Sequence, residues 1–253
     1  MTNRHYKILE ELTKNQKMEV SALAEMLEVS QVTIRKDLDL LEDQGLLYRM
    51  HGYACIDRSD DESKCLAFNY DLKKRIARLA AETVKDRETV MLESGALCAL
   101  LAEELVNSKK DITIVTNSVF IANHIRHISN GKIILLGGYF LKDAQVNVGL
   151  MTSKCGENFF PDKLFIQVDG FSENHGFTGR DHLRVETVVN LSGQVKNVIV
   201  LTESEKFNRP GMVSLMRTEE VNSVYTDDGI PQGVESFLRQ RDVRIKKVPR
   251  CAA

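Results

Sequence analysis

Residues 29–42 read Val29-Ser30-Gln31-Val32-Thr33-Ile34-Arg35-Lys36-Asp37-Leu38-Asp39-Leu40-Leu41-Glu42, and this stretch decides the N-terminal fold. Ile34, Leu38 and Leu41 recur at i, i+4 and i+7, which makes one apolar stripe of a helix. Ser30 stands where an N-cap belongs, with a hydroxyl able to accept from the free N–H groups of the first turn. At about 100° per residue, the opposite side carries Val32 and Lys36, flanked by Thr33 and Arg35, with Gln31 in the first turn. That outer face fits a DNA major groove. Arg35 and Lys36 can donate to guanine or phosphate, Thr33 can reach a phosphate, and Val32 can touch a thymine methyl. An ordinary amphipathic helix with a solvated face has the same pattern, so the flanking sequence decides between the two.

Upstream, Tyr6, Ile8, Leu9 and Leu12 fall at helical spacing, and Asn15 reads as that helix's stop. A second short helix is expected over Ser21–Glu28, with Leu23, Ala24 and Leu27 inward. Glu28-Val29-Ser30 is then a tight turn, and the three helices form a helix-turn-helix. After Gly45 the period changes to two. Leu46, Tyr48 and Met50 alternate with Leu47, Arg49 and His51; Gly52 supplies a turn, and Ala54-Cys55-Ile56 returns as a second strand. This hairpin is a wing, and Arg49 and His51 share the face that would follow a phosphate backbone or dip into a minor groove. Charge gives no support by itself. In residues 1–56, Arg4, Lys7, Lys14, Lys17, Arg35, Lys36 and Arg49 face nine carboxylates. The case rests on where the bases sit.

Composition sets the outer bounds. The chain is 43% hydrophobic and 28% charged, the balance of a soluble globular protein long enough for two domains. No apolar run approaches the roughly 20 residues that span a bilayer, and the polar N-terminus is no secretory signal. No membrane partner is expected. Cys55, Cys65, Cys98, Cys155 and Cys251 are an odd number without a C-x-x-C, so reduced cytoplasmic thiols are expected. The histidines show no metal-ligand spacing, and neither a metal nor a cofactor is expected.

Residues 57–70 begin with the acidic run Asp57-Arg58-Ser59-Asp60-Asp61-Glu62-Ser63 and read as a linker between a 1–56 DNA-binding domain and a 71–253 domain. In the latter, Leu72, Ile76, Leu79, Ala80 and Val84 make an amphipathic helix. Short apolar strands then alternate with helical patterns: Thr89–Leu92, Ile112–Val115, Lys132–Leu136, Leu164–Val168, Val198–Leu201, Ser223–Tyr225 and Val243–Lys247. This is the grammar of an α/β domain with a mostly parallel sheet. Ligands of such sheets bind beyond the carboxyl ends of the strands. The candidates there are Glu93-Ser94-Gly95, Thr116-Asn117-Ser118, Gly137-Gly138, Asp169-Gly170 and Lys206. Ser94-Gly95 and Asn117-Ser118 each enter a helix whose N–H groups could hold an anion such as phosphate. Lys206 could add a cation, and Asp169 could accept from sugar hydroxyls.

The ordered set Val20, Leu23-Ala24, Leu27, Val29-Ser30, Thr33 to Leu38, Leu41-Glu42, Gly45, Leu47, Arg49 and His51-Gly52 resembles the N-terminal signature of the DeoR family of bacterial transcriptional regulators. Thr116-Asn117-Ser118, Leu136-Gly137-Gly138, Asp169-Gly170, Gly176-Phe177-Thr178 and Lys206-Phe207 resemble landmarks of its C-terminal half. The resemblance implies a small winged helix-turn-helix domain joined to a sensor domain similar in fold to ribose-5-phosphate isomerase. It further implies a phosphorylated sugar or polyol as effector, operator DNA as partner, and a homodimer or homotetramer. Four departures stand out. Lys36 replaces a usual Arg, and Tyr53 a usual Gly. Glu93-Ser94-Gly95-Ala96-Leu97 replaces Asp-Ser-Gly-Thr-Thr, and Glu203-Ser204-Glu205-Lys206 replaces Asp-Ser-Ser-Lys.

The expected function is therefore a ligand-modulated repressor of carbohydrate uptake or catabolism genes, not an enzyme. Two other readings stay open. In one the C-terminal domain only oligomerises; in the other Glu93, Asp169 and Lys206 serve an isomerase-like reaction, although fold resemblance confers no activity.

Overall fold

The computed structural model describes residues 2–43, 46–50, 52–55, 65–66 and 68–250. The chain divides into two compact units, residues 1–70 and 71–253.

In the first unit, α1 (Asn3–Asn15) is capped by Thr2, whose side chain accepts from the His5 N–H, and it stops at Gln16, where φ is 63°. Then follow β1 (Lys17–Glu19), α2 (Val20–Met26), α3 (Gln31–Asp43), β2 (Tyr48–Met50) and β3 (Tyr53–Cys55). Ile8, Leu9, Leu12, Leu23, Ile34, Leu38 and Leu41 are fully buried and form the core that the helical spacing pointed to. Leu27 is only half-buried.

The wing departs from expectation. It is three-stranded, in the order β1-β3-β2, with Met18 opposite Ala54 and Arg49 opposite Ala54 on the other side. The period-two pattern does not run from Leu46: Leu46 and Leu47 are both buried, and all of β2 is exposed. Gly52, at φ 82°, makes the expected turn. His51 and Ile56 lie outside the described residues.

Of the expected linker, residues 57–64 and 67 lie outside the described residues. Cys65 and Leu66 are helical, and Leu66 is buried, so that part is not a polar tether. The helix α4 (Tyr70–Ala81) buries Leu72, Ile76, Ala77 and Ala80.

The second unit is built on seven strands: β4 (Thr89–Leu92), β5 (Thr113–Thr116), β6 (Lys132–Leu135), β9 (Lys163–Gln167), β12 (Val198–Leu201), β14 (Ser223–Asp227) and β15 (Arg244–Val248). They pair in the order β15-β14-β12-β9-β4-β5-β6, and every pairing is parallel. These are the seven strands expected, with ends shifted by a residue or two. Strands buried on both faces read as unbroken apolar runs, as in β12, where all four residues are buried.

The helices α5 (Ala96–Ser108), α6 (Val119–Ile125), α7 (Leu150–Gly156), α8 (His182–Ser192) and α9 (Gln232–Arg239) lie between the strands in sequence. A hairpin of β7 (Tyr139–Leu141) with β8 (Val146–Val148) was not expected. Neither was an antiparallel sheet of β10 (Gly170–Ser172), β11 (Gly176–Gly179) and β13 (Val213–Met216).

The strand order fixes where a ligand belongs. From β4 the chain steps outward to β5 and β6, then returns to the other side of β4 for β9 and continues through β12, β14 and β15. The order reverses between β4 and β9. In open parallel sheets, the crevice beyond the carboxyl ends at such a reversal is the binding position.

Candidate nucleic-acid interface and ligand cleft

Helix α3 presents the face its sequence pattern describes. The Ser30 hydroxyl accepts from the Thr33 N–H at 3.1 Å and lies 2.9 Å from the Thr33 hydroxyl, so the first turn is capped. Ile34, Leu38 and Leu41 are fully buried, while Val32 is 63% exposed. Gln31, Arg35 and Lys36 are exposed and Thr33 is half-buried. Among the described residues, neither Arg35 nor Lys36 has an ion-pair partner.

The inner face of α3 holds a feature that periodicity does not reveal. Asp37 is buried, and it accepts from Arg4 Nη2 at 3.0 Å and from His5 Nε2 at 3.0 Å. Burial pushes its carboxyl pKa up. The bonds and charges of Arg4 and His5 outweigh that and hold it below the ordinary aspartate value. This contact ties the start of α1 to the middle of α3.

Arg49 is not placed as expected. Its guanidinium lies 2.6 Å from Asp39 and 2.8 Å from Glu42, and its N–H donates to Glu42 at 2.8 Å. Both carboxylates belong to α3, so Arg49 binds β2 to that helix and does not stand free for phosphate. The same side-chain and backbone bonds hold the Glu42 carboxyl below its ordinary value. Tyr53, the residue in place of a wing glycine, donates its hydroxyl to Glu19 at 2.7 Å and has Lys17 over its ring at 4.0 Å. It therefore fastens β3 to β1.

At the carboxyl ends of the strands, the expected ligand residues split into groups. Glu93 and Asp169 line a cleft at the β4/β9 reversal, together with Gln167, Arg180, Asp181 and Arg184; Val185, Val188 and Leu215 form its apolar wall. Arg184 Nη2 donates to Glu93 at 3.1 Å, and Glu93 is 3% exposed. Asp169 accepts from the Arg180 N–H at 3.0 Å and faces its Nε at 3.4 Å.

Ser94 is buried and Gly95 begins α5. A side chain at Gly95 would lie 2.6 Å from Gln167 Oε1, and that same oxygen accepts from the Leu97 N–H at 2.9 Å. Gln167 thus takes one first-turn N–H of the α5 start where an anion was expected.

Thr116, Asn117 and Ser118 are buried and bonded to backbone around them. The Thr116 hydroxyl donates to Leu92 O at 2.7 Å, and Asn117 Nδ2 donates to Asn147 O at 2.9 Å. Ser118 Oγ accepts from the Ile121 N–H at 3.2 Å and so caps α6 itself. Gly138 is required by packing, since a Cβ there would lie 1.9 Å from Thr152 Oγ1, whereas one on Gly137 would meet nothing within 4 Å. A Cβ on Gly170 would lie 2.2 Å from Arg209 O.

Lys206 sits half-buried in a 3-10 turn (Ser204–Asn208) and is not among the residues lining the cleft. Its neighbour Glu205 pairs with Arg250, in a C-terminal stretch with no role assigned from sequence.

Sequence reasoning missed Gln167, Arg180, Asp181 and Arg184. Gln167 carried a usable signal, because it is a polar residue ending an apolar strand. The others gave none: Arg180 and Asp181 follow a short strand that periodicity does not show, and Arg184 lies on α8.

Comparison with known proteins places these observations. A family model described as the DeoR-like helix-turn-helix domain matches residues 4–60, and one described as the DeoR C terminal sensor domain matches residues 68–228. The chain is 27% identical over 253 residues to a putative aga operon transcriptional repressor of Escherichia coli O157:H7, covering 96% of this chain and 93% of that one. It is 27% identical over 248 residues to the glycerol-3-phosphate regulon repressor of Escherichia coli K12, covering 97% and 98%. Among solved structures, ribose 5-phosphate isomerase A of Neisseria gonorrhoeae gives a distant likeness, with a TM-score of 0.39, 13% identity, and 54% and 53% of the two chains covered.

Proposed function

The chain belongs to the DeoR family of transcriptional regulators, and from that premise we propose that it is a repressor of carbohydrate uptake or catabolism genes. Its partner is double-stranded operator DNA, read in the cytoplasm through α3. The observation that carries this is the division of α3 into a fully buried stripe and an outer face, with Val32 at 63% exposure and Lys36 exposed beside it. Gln31, Thr33 and Arg35 complete that face, and Ser30 fixes its first turn.

A sugar or polyol bound between Glu93 and Asp169 modulates operator affinity; a phosphorylated one is the family expectation. Such a ligand acts only through its differential affinity for two arrangements of the paired DNA-binding domains. Homodimers or homotetramers would match half-sites about one helical turn apart. The apolar side chains exposed at and near the edge strand β6 support self-association: Ile133, Leu135, Tyr139, Phe140, Leu150 and Met151. Among the described residues, no helix is long and apolar enough to cross a membrane.

A second reading keeps the C-terminal unit as an oligomerisation module without a ligand. The starts of α5 and α6 favour it, since Gln167 occupies an N–H of the first and Ser118 caps the second. Catalysis is not proposed, since Glu93 and Asp169 both face arginines, Lys206 is not among the cleft residues, and the relatives are named as regulators.

Gel shifts of purified protein on its own upstream DNA test the first reading. Tight retention that competing unrelated DNA does not remove is expected. Weak retention indifferent to sequence would defeat it.

A further inference from the structure

The cleft at the β4/β9 reversal sorts ligands by charge. Its ionisable lining is Glu93, Asp169 and Asp181 against Arg180 and Arg184, which leaves one negative charge in excess. Each guanidinium already faces a carboxylate, Arg184 with Glu93 at 3.1 Å and Arg180 with Asp169 at 3.4 Å. The backbone donors beside them are partly taken. Three helices begin at this edge, and each has a first-turn N–H taken by a protein side chain. Gln167 accepts from Leu97 on α5, Ser118 from Ile121 on α6, and Asp181 from Arg184 on α8.

A phosphate dianion would enter a field of its own sign and could take Arg184 to itself only by outcompeting Glu93. Glu93, at 3% exposure, would then be a buried carboxylate deprived of Arg184, which is the costly way to break such a pair. Hydroxyl groups make no such demand. Each can donate to a carboxylate and accept from a guanidinium N–H while every charge stays where it is. The wall of Val185, Val188 and Leu215 suits the C–H face of a carbon chain or ring.

We propose that the ligand of this cleft is an unphosphorylated sugar or polyol, gripped through its hydroxyls by Glu93, Asp169 and their two arginines. The proposal rests on the cleft being the effector site and narrows the class of effector.

The test uses the full chain and matched pairs: mannitol with mannitol 1-phosphate, glucitol with glucitol 6-phosphate, galactose with galactose 6-phosphate, and inorganic phosphate alone. Thermal shift gives the first measure and calorimetric titration the affinity. At least one free compound is expected to raise Tm with concentration and to bind tenfold or more tightly than its own ester. Inorganic phosphate is expected to do nothing. Glu93→Gln and Asp169→Asn should each weaken the free compound tenfold or more; Asp169, with a side chain 29% exposed, is the variant that keeps the fold. Binding unchanged in both variants would overturn the proposal. So would a tightest-binding pair in which the ester wins, and that result would leave the effector reading standing. No shift from any compound would overturn both.

Discussion

Replacing Arg49 by Ala unmasks two carboxylates on the helix that is to meet DNA. In the structure, Asp39 and Glu42 are 54% and 34% exposed on their side chains, and the single Arg49 guanidinium faces both and offsets one of their two charges. Without it, each carboxylate repels the nearest phosphate. At about 8 Å in a water-like dielectric, that repulsion is about 0.5 kcal/mol per carboxylate. Losing the one positive charge costs about 0.5 kcal/mol per protomer, and a dimer on a two-fold operator loses about 1 kcal/mol, or about fivefold in affinity. The loss should fall equally on operator and unrelated DNA, because no base edge is involved. Anisotropy titrations at low salt, where screening is least, compare the natural chain, Arg49→Ala, and Arg49→Ala combined with Asp39→Asn and Glu42→Gln. The triple variant should bind at least as tightly as the natural chain, since it removes both carboxylates together with the arginine. An arginine that touched phosphate directly would behave differently. The triple variant would stay as weak as the single one, and the salt slope would fall by about one per protomer. Either that pattern or an unchanged Arg49→Ala would refute the neutralising role.

Lys36→Ala should lower discrimination between operator and unrelated DNA by about 1–3 kcal/mol while leaving non-specific affinity nearly constant, as measured by competition binding. The Asp37 carboxyl is held below its ordinary pKa, so its contribution is complete above about pH 4, where the unfolded carboxyl is ionised, and is lost as pH falls through the folded value. Amide protection in α1 and α3, taken relative to the intrinsic exchange rate at each pH, should therefore fall from pH 5 to pH 3 more in the natural chain than in Asp37→Asn; parallel profiles would contradict the assignment. Gly138→Ala should cost about 1–3 kcal/mol in urea unfolding, because its Cβ would lie 1.9 Å from Thr152 Oγ1 and 2.9 Å from Val148 O. Gly137→Ala, which meets nothing within 4 Å, serves as the control and should stay within about 0.5 kcal/mol.

The central sheet was legible because its strands are buried on both faces, so burial alone dictates runs such as Val198-Ile199-Val200-Leu201. Helix α3 was legible for a related reason: one stripe must be apolar and the rest need not be. Lys17-Met18-Glu19 was not, since its residues are mostly exposed and polar and only pairing with Tyr53–Cys55 makes it a strand. The strands Gly170–Ser172 and Gly176–Gly179 are too short for a period to register. At the cleft, Glu93 and Asp169 were legible as polar residues following strand ends. Thr116, Asn117 and Ser118 share that mark yet are bonded to backbone around them, because a strand end that starts a helix needs the same donors and acceptors as a ligand does. Arg180 and Arg184 come from a distant part of the chain, and only the return of β9 to the side of β4 brings them to Glu93 and Asp169.

Three departures from the family pattern have matching partners in the structure. Tyr53, in place of a glycine, bonds to Glu19. Glu93, one methylene longer than the usual aspartate, is bonded by Arg184. Glu205, an added charge, is paired with Arg250. A site that had merely decayed would show the altered residues without the groups that answer them. A carboxylate at 3% exposure with no opposing charge would cost several kcal/mol. Here each change sits with a partner, and at the cleft Glu93 and Arg184 make a paired acid and base. Such compensation argues for a changed ligand over an abandoned pocket. It also ties the second reading, oligomerisation alone, to one outcome: Glu93→Gln and Asp169→Asn would then leave operator release by every carbohydrate equally absent.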